Sequence, residues 1–278
     1  MESEFLDESF LLEQYEKDNY KVTNNASGRR VVVIYFSSNA IYYPNDYAHF
    51  SSSILEQDKY EWENIRIKDA GISIYLRDIF KQWYEKGINK TINTRAKIFD
   101  FLKKQIPPGW ECITVGSSAG GYMAALAGSV LKAKYVFDFS GQNSLDIVKS
   151  NNPFIWNNRN QGIEFYDIRK AFKKNGYPKI YYIYSGNNED DVVQFGIMEA
   201  LPYVKALCID SETHGRTIMG IGKYGMLNSS EKRLDYLFEL FQGKKTNIIV
   251  ATMVFCGARG MVWAITTKII RLITREKN

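Results

Sequence analysis

The chain has 278 residues, 45% hydrophobic and 24% charged, the composition of a globular protein with room for one large domain or two small ones. A net charge of +5 without a clustered basic face excludes a dedicated nucleic-acid reader. Only two histidines, His49 and His214, exclude a multi-histidine metal site, and the scattered Cys112, Cys208 and Cys256 form no C-x-x-C pair that would imply zinc or a disulfide framework.

Residues 1–28 read as an N-terminal extension. They are acidic and mixed rather than basic then apolar, so they lack the form of a secretory signal and favour the cytoplasm. RRVVVIYF (29–36) is a continuous β-branched run and predicts a buried strand. NIRIKDA (64–70) is a second strand candidate. Residues 72–86 and 91–105 carry apolar positions at helical spacing, the latter stopped by Pro107, Pro108 and Gly109. Strands are then expected over 111–115, 134–139, 179–185 and 204–210. Helices are expected over 120–131, 165–175 (closed by Gly176), 191–201 and 230–242. No repeat, low-complexity tract or linker interrupts the series. Such alternation predicts one α/β domain over 29–242, with a mainly parallel central sheet and helices on both faces. Ligands in such sheets bind beyond the carboxyl ends of the strands.

One of those ends carries TVGSSAGGYMAALAG (114–128). A phosphate-binding P-loop would need a lysine where Tyr122 and Met123 follow Gly121. A dinucleotide fingerprint would need glycine where a serine interrupts G-x-G-x-x-G. The pattern that fits is G-x-S-x-G, formed by Gly116, Ser118 and Gly120. In a sharp strand-to-helix turn the serine backbone is strained, and glycines two residues either side let neighbouring elements pass.

This stretch resembles the nucleophile elbow of the α/β-hydrolase superfamily. The resemblance implies a catalytic triad in the chain order serine, acid, histidine. The acid is expected after the strand 179–185, where Asp190, followed by Val192 and Val193, suits the family's pattern; Asp191 is the alternative and Glu189 a third. A solvated acidic turn with Asp190 or Asp191 as helix cap is the competing reading. The histidine is expected after 204–210, where His214 stands, since His49 precedes the serine. His214 would take the proton of Ser118, and the acid would hold the imidazole. The N–H of Ala119 and one from Ser37 or Ser38 would bind the oxyanion, although the loop after 29–36 lacks the His-Gly or Gly-Gly common in the family.

Tyr42, Tyr43, Tyr47 and His49, in the loop 37–53, are candidates for lining a substrate site. The segment 141–164, with Phe154 and Trp156, lies where this superfamily carries its cap and suggests a small lid. Residue by residue, both segments read first as surface loops packed by their own aromatics. Abundant Tyr and Asn lean towards a polar or glycan ester, and no cofactor is implied. An acyltransferase on the same triad and a non-catalytic scaffold of the same fold are the alternatives.

The tail 243–278 contains an apolar run near the length of a membrane span, but Arg259 and two glycines sit within it. Val262, Ile265, Ile269 and Leu272 or Ile273 make one stripe, with Lys268, Arg271 and Arg275 opposite. That pattern suits a peripheral helix on an acidic membrane surface, a helix on a protein partner, or a last helix closing the sheet.

Overall fold

The structure, a computed structural model, describes residues 6–145, 148 and 167–275. Its centre is an eight-stranded sheet in the order β1-β3-β2-β4-β5-β6-β7-β8. The strands are β1 (Tyr20–Asn24), β2 (Arg29–Phe36), β3 (Ala70–Leu76), β4 (Glu111–Ser117), β5 (Tyr135–Phe139), β6 (Ile180–Ser185), β7 (Val204–Asp210) and β8 (Lys245–Asn247). All neighbours pair in parallel except β1, which runs antiparallel to β3 with Tyr20 opposite Leu76. The expected α/β architecture is therefore present. The segment read as an N-terminal extension contributes an edge strand to it.

Burial on both faces explains why the inner strands read as continuous apolar runs. Along β2, Val32, Ile34 and Phe36 enter one core with Ile74, Leu76, Met123, Leu126 and Tyr182. The alternate residues Val31, Val33 and Tyr35 enter the other, with Ile113, Val115, Phe137, Tyr181 and Phe238. The helix Ala119–Val130 lies against the first face and is buried along nearly its whole length, which its small residues permit. The helix Glu231–Phe241 packs on the second face through Leu234, Leu237 and Phe238.

Two expectations near residue 70 are corrected. Residues 64–69 form turns rather than a strand, with the Ile67 N–H donating to the Tyr35 hydroxyl at 2.7 Å. The start of the segment read as a helix over 72–86 is strand β3, followed by irregular chain up to the Thr94 cap of the helix Arg95–Gln105. A strand buried on both faces loses the polar–apolar alternation that would mark it, so AGISIYL satisfies helical spacing by chance. The helices Glu8–Tyr15 and Gly220–Leu227 and the strand β8 had no counterpart in the sequence reading.

After β8 the chain enters the helix Ile248–Arg275, broken by non-helical backbone at Gly257 (φ 75°, ψ 163°). Among the described residues, no helix is long and apolar enough to cross a membrane.

Candidate active site

The strand β4 ends at Ser117 and the next helix begins at Ala119, so Ser118 alone makes the turn. It does so at φ 53° and ψ −119°, a backbone region that non-glycine residues rarely occupy. Tight packing holds it there. The Ser118 N–H donates to the Phe139 carbonyl at 2.9 Å, and its carbonyl accepts from the Tyr122 N–H at 3.1 Å. A Cβ on Gly116 would lie 2.0 Å from the Gly120 carbonyl oxygen, and one on Gly120 would lie 2.3 Å from that of Phe36. The two glycines of the motif thus mark places where backbone meets backbone.

The Ser118 hydroxyl lies 2.9 Å from His214 Nε2. His214 sits in the loop after β7, which is tied to the end of β6 by three bonds. Asn187 N–H donates to the Ser211 carbonyl at 3.0 Å, the Asn188 amide to that of Glu212 at 3.1 Å, and the Ser185 hydroxyl to that of Thr213 at 2.8 Å. On the other side of the ring, Nδ1 lies 2.5 Å from Asp191 Oδ1. A carboxylate at Nδ1 keeps the ring proton there and leaves Nε2 to accept from the serine.

The carboxylate beside His214 is therefore Asp191, the alternative acid, and not Asp190. Asp191 is 1% exposed at its side chain, and its Oδ2 accepts from the Ser140 hydroxyl at 2.7 Å and the Ser185 N–H at 2.9 Å. Asp190 is exposed on the first turn of the helix Glu189–Glu199, as is Glu189. Neither Asp190 nor Asp191 caps this helix. The cap is Asn188, whose side chain accepts from the Asp191 N–H at 3.0 Å. Helical side chains lean towards the N-terminus, so the third residue past the cap reaches back to the sheet end. Recognising Asn188 as the cap is the sequence signal that separates the two aspartates.

A second buried carboxyl, Asp138, lies nearby on β5. It is fully buried and packs closely enough on Gly121 and Gly141 that a Cβ on either would clash. Burial first, and then the neighbouring Asp191 charge, push it well above the carboxylate range. Ser140, which supports Asp191, follows two residues later at φ 52°.

The three expected oxyanion donors differ in fate. Ala119 opens its helix, where the first N–H groups lack intrahelical acceptors and the helix dipole is positive. The Ser37 N–H is spent in the sheet, donating to the Leu76 carbonyl at 3.0 Å, which removes it as a donor. The Ser38 N–H donates to Glu61 Oε2 at 2.5 Å. Glu61 had no place in the sequence reading, and nothing in its local sequence singles it out. Its carboxyl is raised from its ordinary value by burial, against the opposing pull of the Ser38 N–H and Lys223.

The aromatic candidates are redistributed. Tyr42 is buried in a separate cluster with Ile41, Phe50 and Phe80, and its hydroxyl donates to the Ile79 carbonyl at 2.5 Å, so it serves packing rather than substrate. Tyr43 is exposed, Tyr47 packs edge-on against Phe10, and His49 pairs with Asp46 at 2.7 Å. Trp156, Phe154 and most of the expected lid lie outside the described residues. A cavity of about 430 Å³ does open beside His214, lined by Gln142, Val148, Asp190, Asp191, Val193 and Gln194. Gln142 is fixed at its mouth by the Trp83 indole N–H, which donates to its Oε1 at 2.6 Å.

No protein-family model matches the sequence, and no curated protein matches it. Solved structures do. The capsule O-acetyltransferase of Neisseria meningitidis serogroup A superposes with a TM-score of 0.51 at 14% identity, covering 81% of this chain and 92% of that one. Esterase B from Lactobacillus rhamnosis gives 0.44 at 11% identity, over 70% and 71% of the two chains. FphF, a fluorophosphonate-binding serine hydrolase of Staphylococcus aureus, gives 0.43 at 13% identity, over 69% and 84%. At these identities the likeness concerns architecture alone: the chain has an α/β-hydrolase-like fold.

Proposed function

We propose that this protein is a serine acyl hydrolase that cleaves an ester through Ser118, His214 and Asp191. The observation that carries the reading is the unbroken relay from Asp191 Oδ1 to His214 Nδ1 and from His214 Nε2 to Ser118 Oγ, on a strained elbow. Strain at a non-glycine residue persists only where its surroundings impose it, and nucleophile elbows are such places.

In the proposed reaction, Ser118 Oγ attacks the ester carbonyl as its proton passes to His214 Nε2. Asp191 stabilises the imidazolium without taking the proton. The negative charge on the former carbonyl oxygen is met by the Ala119 N–H. Ser38 adds a second N–H only when Glu61 releases it. Collapse of the intermediate transfers the proton from His214 to the leaving alcohol and leaves an acyl-Ser118. Water, deprotonated by His214, then repeats the sequence and frees the acid. Gln142 and Asp190 in the cavity lining offer polar groups to a polar ester, such as an acylated glycan, beside the apolar Val148 and Val193.

An acceptor alcohol in place of water turns the same machinery into an acyltransferase, the activity by which the capsule O-acetyltransferase of similar fold is named. Labelling with a fluorophosphonate probe tests the common step. Wild type and Ser117→Ala are expected to label and Ser118→Ala is not. Absence of labelling in folded wild type would remove the hydrolase and transferase readings together. Adding alcohols to a turnover assay then separates the two, since only a transferase diverts most of the acyl group from water.

A further inference from the structure

The final helix presents an apolar face that the domain does not cover. Its first part, before the break at Gly257, rests on the helix Gly220–Leu227 and the sheet through Ala251, Thr252 and Phe255. The opposite side carries Ile249, Val250 and Met253, which are 54%, 48% and 41% exposed, and beyond the break Val262 is 65% exposed. Positions 249, 250 and 253 fall on one side of an α-helix, so these are a contiguous stripe rather than scattered residues.

Charge says what this stripe meets. From Gly243 to Arg275 the sequence holds six basic residues, Lys244, Lys245, Arg259, Lys268, Arg271 and Arg275, and not one acidic residue. Lys244 and Lys245, at the start of the segment, are exposed, with hydrogen bonds to the Leu240 carbonyl and the Asn187 amide oxygen rather than to carboxylates. A protein partner of mixed surface charge does not call for so one-sided a segment. An anionic lipid surface does, because apolar side chains enter its interface while the cations remain at the headgroups.

We propose that the stripe formed by Ile249, Val250 and Met253, with the exposed Lys244 and Lys245 in a segment whose sequence is otherwise basic, docks the protein on an anionic membrane surface. Docking is independent of whether Ser118 is a nucleophile.

The test is co-sedimentation of the full chain with vesicles of phosphatidylcholine alone and of phosphatidylcholine with phosphatidylserine. The comparison variant is Val250→Glu/Met253→Glu, both exposed sites, with folding checked by circular dichroism. Wild type is expected to bind the phosphatidylserine vesicles at least roughly tenfold more tightly than the neutral ones, and less so at high salt. The double variant is expected to lose that binding. No sedimentation with anionic vesicles, or equal sedimentation of the variant, overturns the proposal. So does wild-type self-association in sedimentation velocity that the double variant abolishes, which would assign the face to a second copy of the chain.

Discussion

Replacing Asp191 by asparagine changes one atom and should nearly abolish activity, while the same change at Asp190 should not. An asparagine at 191 must place its NH2 group where one of the two carboxylate oxygens now stands. At the Oδ2 position it would face the Ser185 N–H, a donor against a donor, although the Ser140 hydroxyl could rotate to accept. At the Oδ1 position it would face His214 Nδ1, which then has to accept. The second arrangement satisfies all the surrounding groups, so the side chain adopts it and the imidazole proton moves to Nε2. There it points at Ser118 and cannot receive the serine proton. The analogous change in a known serine triad lowers kcat by about 10⁴, or roughly 5 kcal/mol of barrier. We expect a loss of that order in p-nitrophenyl acetate hydrolysis and in the rate of fluorophosphonate labelling. Asp190→Asn loses at most a helix-dipole contribution of about 0.3–1 kcal/mol in stability and should react within a few-fold of wild type. Comparable losses in the two variants, or an Asp191→Asn enzyme within tenfold of wild type, would refute the assignment.

Ser118→Gly is expected to abolish labelling while leaving stability to urea equal or higher by about 1 kcal/mol, because glycine tolerates the φ of 53° that strains serine; a clear loss of stability would contradict the strain argument. Gly120→Ala forces a methyl group to within 2.3 Å of the Phe36 carbonyl oxygen and should cost at least ~1–3 kcal/mol, read as a lower urea midpoint. Asp138 has a raised carboxyl pKa, so the folded state holds its proton where the unfolded chain has lost it. Its contribution to stability is present below the unfolded value of about 3.9 and is lost as pH rises from there through the folded pKa. Asp138→Asn should flatten this decline in urea titrations at successive pH values, and an unchanged slope would count against a buried neutral acid.

The local rules of the chain were enough to specify much of this protein. Alternating apolar strands and helix-forming segments predict a parallel sheet because each segment carries its own periodicity and punctuation, as in RRVVVIYF or the Gly176 stop. G-x-S-x-G at a strand end places Ser118, because the need for glycine at 116 and 120 is a property of the turn itself. His214 follows by chain order once the resemblance is granted. What tertiary structure decided depends on contacts between distant residues. AGISIYL became β3 because β1 and β2 flank it, although its spacing also suits a helix. Asp191 rather than Asp190 faces the histidine because Asn188 caps the helix and Ser140 and Ser185 fix the carboxylate from another strand and loop. Tyr42 is core and Ser37 is spent in the sheet because their partners, Ile79 and Leu76, lie some forty residues further along the chain. A side chain's type sets what chemistry it can perform, but the partner that orients it is chosen only when the chain has folded.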